Sequence, residues 1–120
     1  HTLGPAIETA VGYEGCLHGE AVSAGMAFAV ALSVAEKGLP PAEGRRVVEL
    51  LRRFGLPVDP RRLAKDRGWR DLRDIMTADK KSVRRVPRFV LAHKLGSVVF
   101  GCEVPEERLE TAWAGLGTAP

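Results

Sequence analysis

The sequence predicts a mainly α-helical, bundle-like domain with one small extended β pair. Three observations predict it. Apolar residues recur at helical spacing through most of the chain, in segments punctuated by proline and glycine. The period shortens only in the stretch RFVLAHKLGSVVFGCEV, where β-branched and aromatic residues flank a glycine-containing turn. No G-x-G-x-x-G loop sits between a strand and a helix, so these residues carry no dinucleotide-binding fingerprint.

The elements follow in order. Ala6 to Val11 reads as a short helix, with Pro5 setting its start because proline lacks an N–H and fits only the first helical turn. Gly12 to Gly15 is a turn by its glycines. From His18 or Glu20 to Lys37 runs a helix that is apolar nearly all round, which marks a buried central element. Its small residues, among them Ala21, Ala24, Gly25 and Ala27, let neighbours pack close. Gly38 stops it, and Pro40-Pro41 prevents its continuation.

The segment PAEGRRVVELLRRFG is a second helix. Val47, Val48, Leu50, Leu51 and Phe54 supply its apolar face, and Arg45, Arg46, Arg52 and Arg53 its wet one. Asp59-Pro60 is an N-cap followed by a first-turn proline, opening a short helix over RRLAKDR that Gly68 breaks. WRDLRDIMTADKK is another helix, with Trp69, Leu72, Ile75 and Met76 inward. After the extended pair, Pro105 and Glu106 start a last helix that turns Leu109, Ala112, Trp113 and Leu116 to the core.

The 120 residues amount to one domain, and with no initiator methionine and a histidine first, the expectation is a piece excised from a longer protein. Apolar residues make up 45% and charged residues 28%, enough to bury a core. The net charge of +3 and pI near 9.2 suit an anionic small molecule. The basic residues are scattered and aromatics reach only 6%, which argues against a nucleic-acid surface. The apolar stretch Ala21 to Ala35 is too short to span a bilayer and is interrupted by Ser23, Gly25 and Ser33. Cys16 and Cys102 lack metal-like spacing and fit a reduced, cytoplasmic protein better than a disulfide scaffold.

Chemistry has few places to sit. His1 and His18 are candidate zinc ligands, but a catalytic zinc needs three protein ligands, and the 17-residue separation does not by itself bring these two together. The plainer alternative is a capping histidine and an arbitrary chain end. Either Glu8 or Glu20 could orient an imidazole, although Glu20 is already accounted for by the dipole of the long helix. His93 falls in a solvated turn. Lys80 and Lys81, followed by Ser82, Arg84 and Arg85, are either phosphate donors or a basic surface turn.

HTLGPAIETAVGYEGCLHGEAVSAGM resembles the 3-dehydroquinate synthase pattern G-H-T-x-G-H-A-x-E, then G-Y, then L-H-G-E-A-V-x-x-G-M, and GLP, DKK and RFVL follow in the family's order. The resemblance covers the chain as the C-terminal half of that enzyme, which implies that an N-terminal Rossmann-like α/β domain holding NAD lies upstream. It implies that His1 and His18 are metal ligands for Zn²⁺ (or Co²⁺), that a glutamate upstream is the third, and that Lys80 or Lys81 contacts the phosphate of a small sugar-phosphate substrate. A homodimer, with no nucleic-acid or membrane partner, is the family expectation. The implied reaction turns 3-deoxy-D-arabino-heptulosonate 7-phosphate into 3-dehydroquinate and phosphate, in the shikimate pathway to aromatic amino acids. The 120 residues alone are then expected to be inactive. Pro5 stands where the family usually has a second histidine. That departure keeps a related cyclase, such as 2-epi-5-epi-valiolone synthase, as the alternative, with a non-catalytic helical interaction module as a second.

Overall fold

Most of the other elements are arranged about one long helix. The computed structural model describes residues 3–12, 15–65, 67–77 and 87–116. It contains α1 (Leu3–Val11), α2 (His18–Glu36), α3 (Pro41–Arg53), α4 (Pro60–Leu63), α5 (Trp69–Thr77), β1 (Phe89–Lys94), β2 (Ser97–Cys102) and α6 (Glu106–Ala114). The mainly helical class with one small antiparallel pair is what the sequence predicts.

The α2 helix is central because its buried side chains are mostly small. Ala21, Ala24 and Ala27 are buried beside Phe28 and Leu32, and α1, α3, α4, α6 and β1 all pack on the helix. At 19 residues and a mean hydropathy of 1.3 it is long and apolar enough to cross a membrane, so its length excludes less than the 15-residue stretch suggested. Its place in the fold is that of a core helix. The two serines that interrupt it are buried and paired: Ser23 Oγ donates to the Pro57 carbonyl at 2.7 Å, and Ser33 Oγ donates to the Ala29 carbonyl at 2.7 Å. Ser33 Oγ also accepts the Ala92 N–H at 2.9 Å, which fastens β1 to the helix.

Four aromatic rings meet at Phe28 of α2. Phe28 lies 5.5 Å from Trp69, 5.9 Å from Phe89 and 5.8 Å from Trp113, with the last two edge-on. Such tilted and edge-to-face pairs add to the burial of the rings themselves. Trp69 Nε1–H donates to Glu106 Oε1 at 2.8 Å, so the indole's one polar atom is satisfied at the core's rim.

Several boundaries differ from expectation for physical reasons. The α1 helix begins at Leu3, earlier than Ala6, because first-turn N–H groups have no intrahelical acceptor and Pro5 is tolerated there. The α4 helix ends at Leu63 because Lys65 takes a left-handed φ of 54°, before Gly68 is reached. His93 lies in β1, one residue pair before the Leu95-Gly96 turn, and its Nε2 is 2.7 Å from Ser97 Oγ. On α3, Leu51 is buried, but Leu50 is 56% and Phe54 75% exposed. The cause is Gly44: an added Cβ would lie 3.1 Å from Val34 and 3.2 Å from Val30, so α3 sits against α2 through this residue and turns Leu50 and Phe54 away. The expected extension of α5 to Lys81 lies outside the described residues.

Candidate functional site

The first two helices form an antiparallel pair whose spacing is set by glycine on both sides. A Cβ on Gly25 would lie 3.3 Å from the Gly4 backbone nitrogen, and one on Gly4 would lie 3.2 Å from the Ala21 carbonyl oxygen. Both obstacles are backbone, so neither can move aside cheaply, and α1 rests directly on α2. Glu8 follows Gly4 by four residues and therefore lies on the same face one turn later. The antiparallel run carries it from the level of Ala21 and Gly25 down to that of His18.

There Glu8 Oε1 and His18 Nδ1 are 3.0 Å apart. The two side chains differ sharply in exposure, 13% for Glu8 and 71% for His18. The carboxylate is inboard and the imidazole stands out from the first turn of α2. Glu20, the other acidic candidate, is used differently: its Oε1 accepts the Leu17 N–H at 2.8 Å and caps the helix. Leu17 has no side-chain acceptor to offer in return, and its own side chain is 72% exposed.

Cys16 feels both of these carboxylates. Its thiol is pushed up, first by burial and then by the negative charges of Glu8 and Glu20, with Lys65 opposing. A thiol held protonated is a poor nucleophile and a poor ligand at neutral pH, consistent with Cys16 as a packing residue. Cys102 is buried at the end of β2, its Sγ 3.4 Å from the Val99 carbonyl oxygen.

The structure thus places His18 with one of its two candidate partners, Glu8. His1, Lys80 and Lys81 lie outside the described residues, as do Ser82, Arg84 and Arg85. Among the described residues no group of three or more His, Cys, Asp or Glu side chains forms a complete metal site. What distinguishes Glu8 from Glu20 is the helix crossing itself, in which Gly4 and Gly25 meet and bring Glu8 to His18.

Comparison with known proteins adds an independent line. The family described as 3-dehydroquinate synthase C-terminal matches residues 1–82. The chain is 42% identical over 110 residues to a 3-dehydroquinate synthase of Pseudomonas aeruginosa, an alignment covering 92% of this chain and 29% of that protein. It is 41% identical over 111 residues to that of Azotobacter vinelandii, covering 92% and 29%. It is 45% identical over 100 residues to that of Nitrosococcus oceani, covering 82% and 27%. The chain therefore spans under a third of the length of the curated relatives it matches.

Proposed function

The chain belongs to the 3-dehydroquinate synthase C-terminal family, and from that premise we propose that it is the metal- and substrate-binding part of an enzyme converting 3-deoxy-D-arabino-heptulosonate 7-phosphate into 3-dehydroquinate and phosphate. In this reading the 120 residues act as one unit beside an upstream NAD-binding domain, in a cytoplasmic homodimer. The observation that carries it is the His18 side chain, 71% exposed, with Nδ1 3.0 Å from the inboard Glu8 carboxylate.

That donor fits a divalent cation. An imidazole with one nitrogen engaged presents its other lone pair outward, as zinc sites require. His18 and His1 would hold the ion, with a third ligand from the upstream part. When bound, Zn²⁺ or Co²⁺ supplies Lewis-acid polarisation of a substrate oxygen, and NAD supplies reversible hydride chemistry. The rest falls to this chain's own residues. His18 fixes where a donor atom stands relative to α2. Lys80 or Lys81 offers an ammonium to the substrate phosphate, holding it by point charge as its negative charge grows on departure.

In the full-length protein, His18→Ala is expected to strip bound zinc and abolish turnover, while a variant retaining full metal content would contradict the proposal. The 120 residues alone, given NAD, Zn²⁺ and substrate, should show no turnover. Pro5 supports a second reading. It is exposed in the first turn of α1 and bears no group that can donate or shuttle a proton. A panel comparing 3-deoxy-D-arabino-heptulosonate 7-phosphate with sedoheptulose 7-phosphate decides between the dehydroquinate reaction and that of a 2-epi-5-epi-valiolone synthase. A non-catalytic interaction module would carry no stoichiometric metal and turn over neither substrate.

A further inference from the structure

We infer that Glu8 is a positioning residue that fixes the tautomer of His18, holding the proton on Nδ1 so that Nε2 carries the lone pair for a metal ion. The inference rests on the metal-site reading above and assigns the residue that prepares the donor.

Three observations carry it. The first is contact: Glu8 Oε1 and His18 Nδ1 are 3.0 Å apart. An ionised carboxylate can only accept, so the hydrogen in that bond belongs to the imidazole, and a neutral ring that protonates Nδ1 leaves Nε2 bare. The second is the asymmetry of burial. Glu8, 13% exposed, has lost most of the water that would otherwise solvate it, whereas His18, 71% exposed, has not. The desolvated partner is the one that requires the hydrogen bond, so the carboxylate dictates the ring's protonation pattern. The third is rigidity. Glu8 is delivered by a helix crossing in which Gly4 and Gly25 bring backbone against backbone, with no long side chain between the helices to yield. The carboxylate is therefore set at its height before any ion arrives. Glu20, two residues from His18, is occupied by the Leu17 N–H and does not compete.

Solvent-exposed histidines lacking such a partner exchange between tautomers, and a fraction of the ring then presents N–H where an ion needs a lone pair. Carboxylates that orient a ligating imidazole typically contribute about 10- to 100-fold in metal affinity.

The test is made on the metal-free full-length protein. Two-bond ¹H–¹⁵N correlations of the histidine rings, with His18 assigned by its disappearance in His18→Ala, should show native His18 as the Nδ1–H tautomer at a pH where it is neutral. Glu8→Gln, whose neutral amide can either donate to Nδ1 or accept from it, should lower the share of the Nδ1–H form and weaken Zn²⁺ binding about 10- to 100-fold, measured by competition with a chromophoric chelator. Glu8→Asp, one methylene shorter, should recover the affinity only in part. A native His18 already in the Nε2–H form, or unchanged Zn²⁺ affinity in a folded Glu8→Gln, would overturn the inference. The spectrum of the native protein needs no variant of Glu8, so misfolding of Glu8→Gln leaves the tautomer assignment decisive. Failure of the underlying reading has a different signature: His18→Ala would then bind Zn²⁺ as tightly as the native protein.

Discussion

The middle and the first turn of α2 are built on opposite plans. Around Phe28 the helix is closed in: Trp69, Phe89 and Trp113 surround the ring, and among the described residues no buried side-chain nitrogen or oxygen lacks a partner. Around His18 it is open: the imidazole and Leu17 are largely exposed, and the inboard groups are the carboxylates of Glu8 and Glu20. One helix is anchored by dispersion and apolar burial at its middle, and the proposed metal donor stands exposed on its first turn. Stability and ligand binding should therefore separate under mutation, which gives a direct way to test the contrast.

The largest effect belongs to the closed middle. Phe28→Ala removes a fully buried ring from three aromatic contacts and should cost about 3–5 kcal/mol, read from chemical denaturation, with metal affinity of the surviving folded fraction unchanged. Gly25→Val should cost about 1–3 kcal/mol by overpacking. Unlike Phe28→Ala it pushes α1 off α2 at Gly4, so metal affinity should fall with stability. If the two quantities stay uncoupled in Gly25→Val, the crossing does not set the Glu8–His18 pair. Ser33→Ala leaves the Ala92 N–H without its acceptor, at about 1–3 kcal/mol; exchange of the Ala92 amide should accelerate with no change at His18. The smallest effect concerns Cys16. Removing the Glu20 charge by Glu20→Gln relieves part of what raises the thiol, so its pKa should fall and alkylation near neutral pH should speed up modestly. An unchanged or slower rate would mean that burial alone governs the thiol.

Much of this architecture was legible in the residues. Proline and glycine bracket α2 and α3, the change of period locates the hairpin, and Pro105-Glu106 opens α6 on schedule. What periodicity does not tell is which apolar positions a neighbour covers. Leu50 and Leu51 look alike in sequence, yet only Leu51 is buried, because the approach of α3 is decided by Gly44 against Val30 and Val34. The choice between Glu8 and Glu20 was hidden for the same reason, since it depends on how two helices cross. His93 shows the opposite limit: its neighbours suggest a turn, but strand pairing runs past it and brings Ser97 to its ring. For His1, Lys80 and Lys81, which lie outside the described residues, the resemblance to the family carries the assignment.

The proposed metal donor stands on the first turn of α2, outside the core, and His18→Ala in the full-length protein tests that separation. Zinc content and thermal stability would be measured on the same sample, beside the native protein. Loss of bound zinc is expected, with metal-free stability falling by at most about 1–3 kcal/mol from the Glu8 carboxylate left without its hydrogen bond, below the cost of Phe28→Ala. Native zinc content in the variant, or a loss of metal-free stability as large as that of Phe28→Ala, would contradict it.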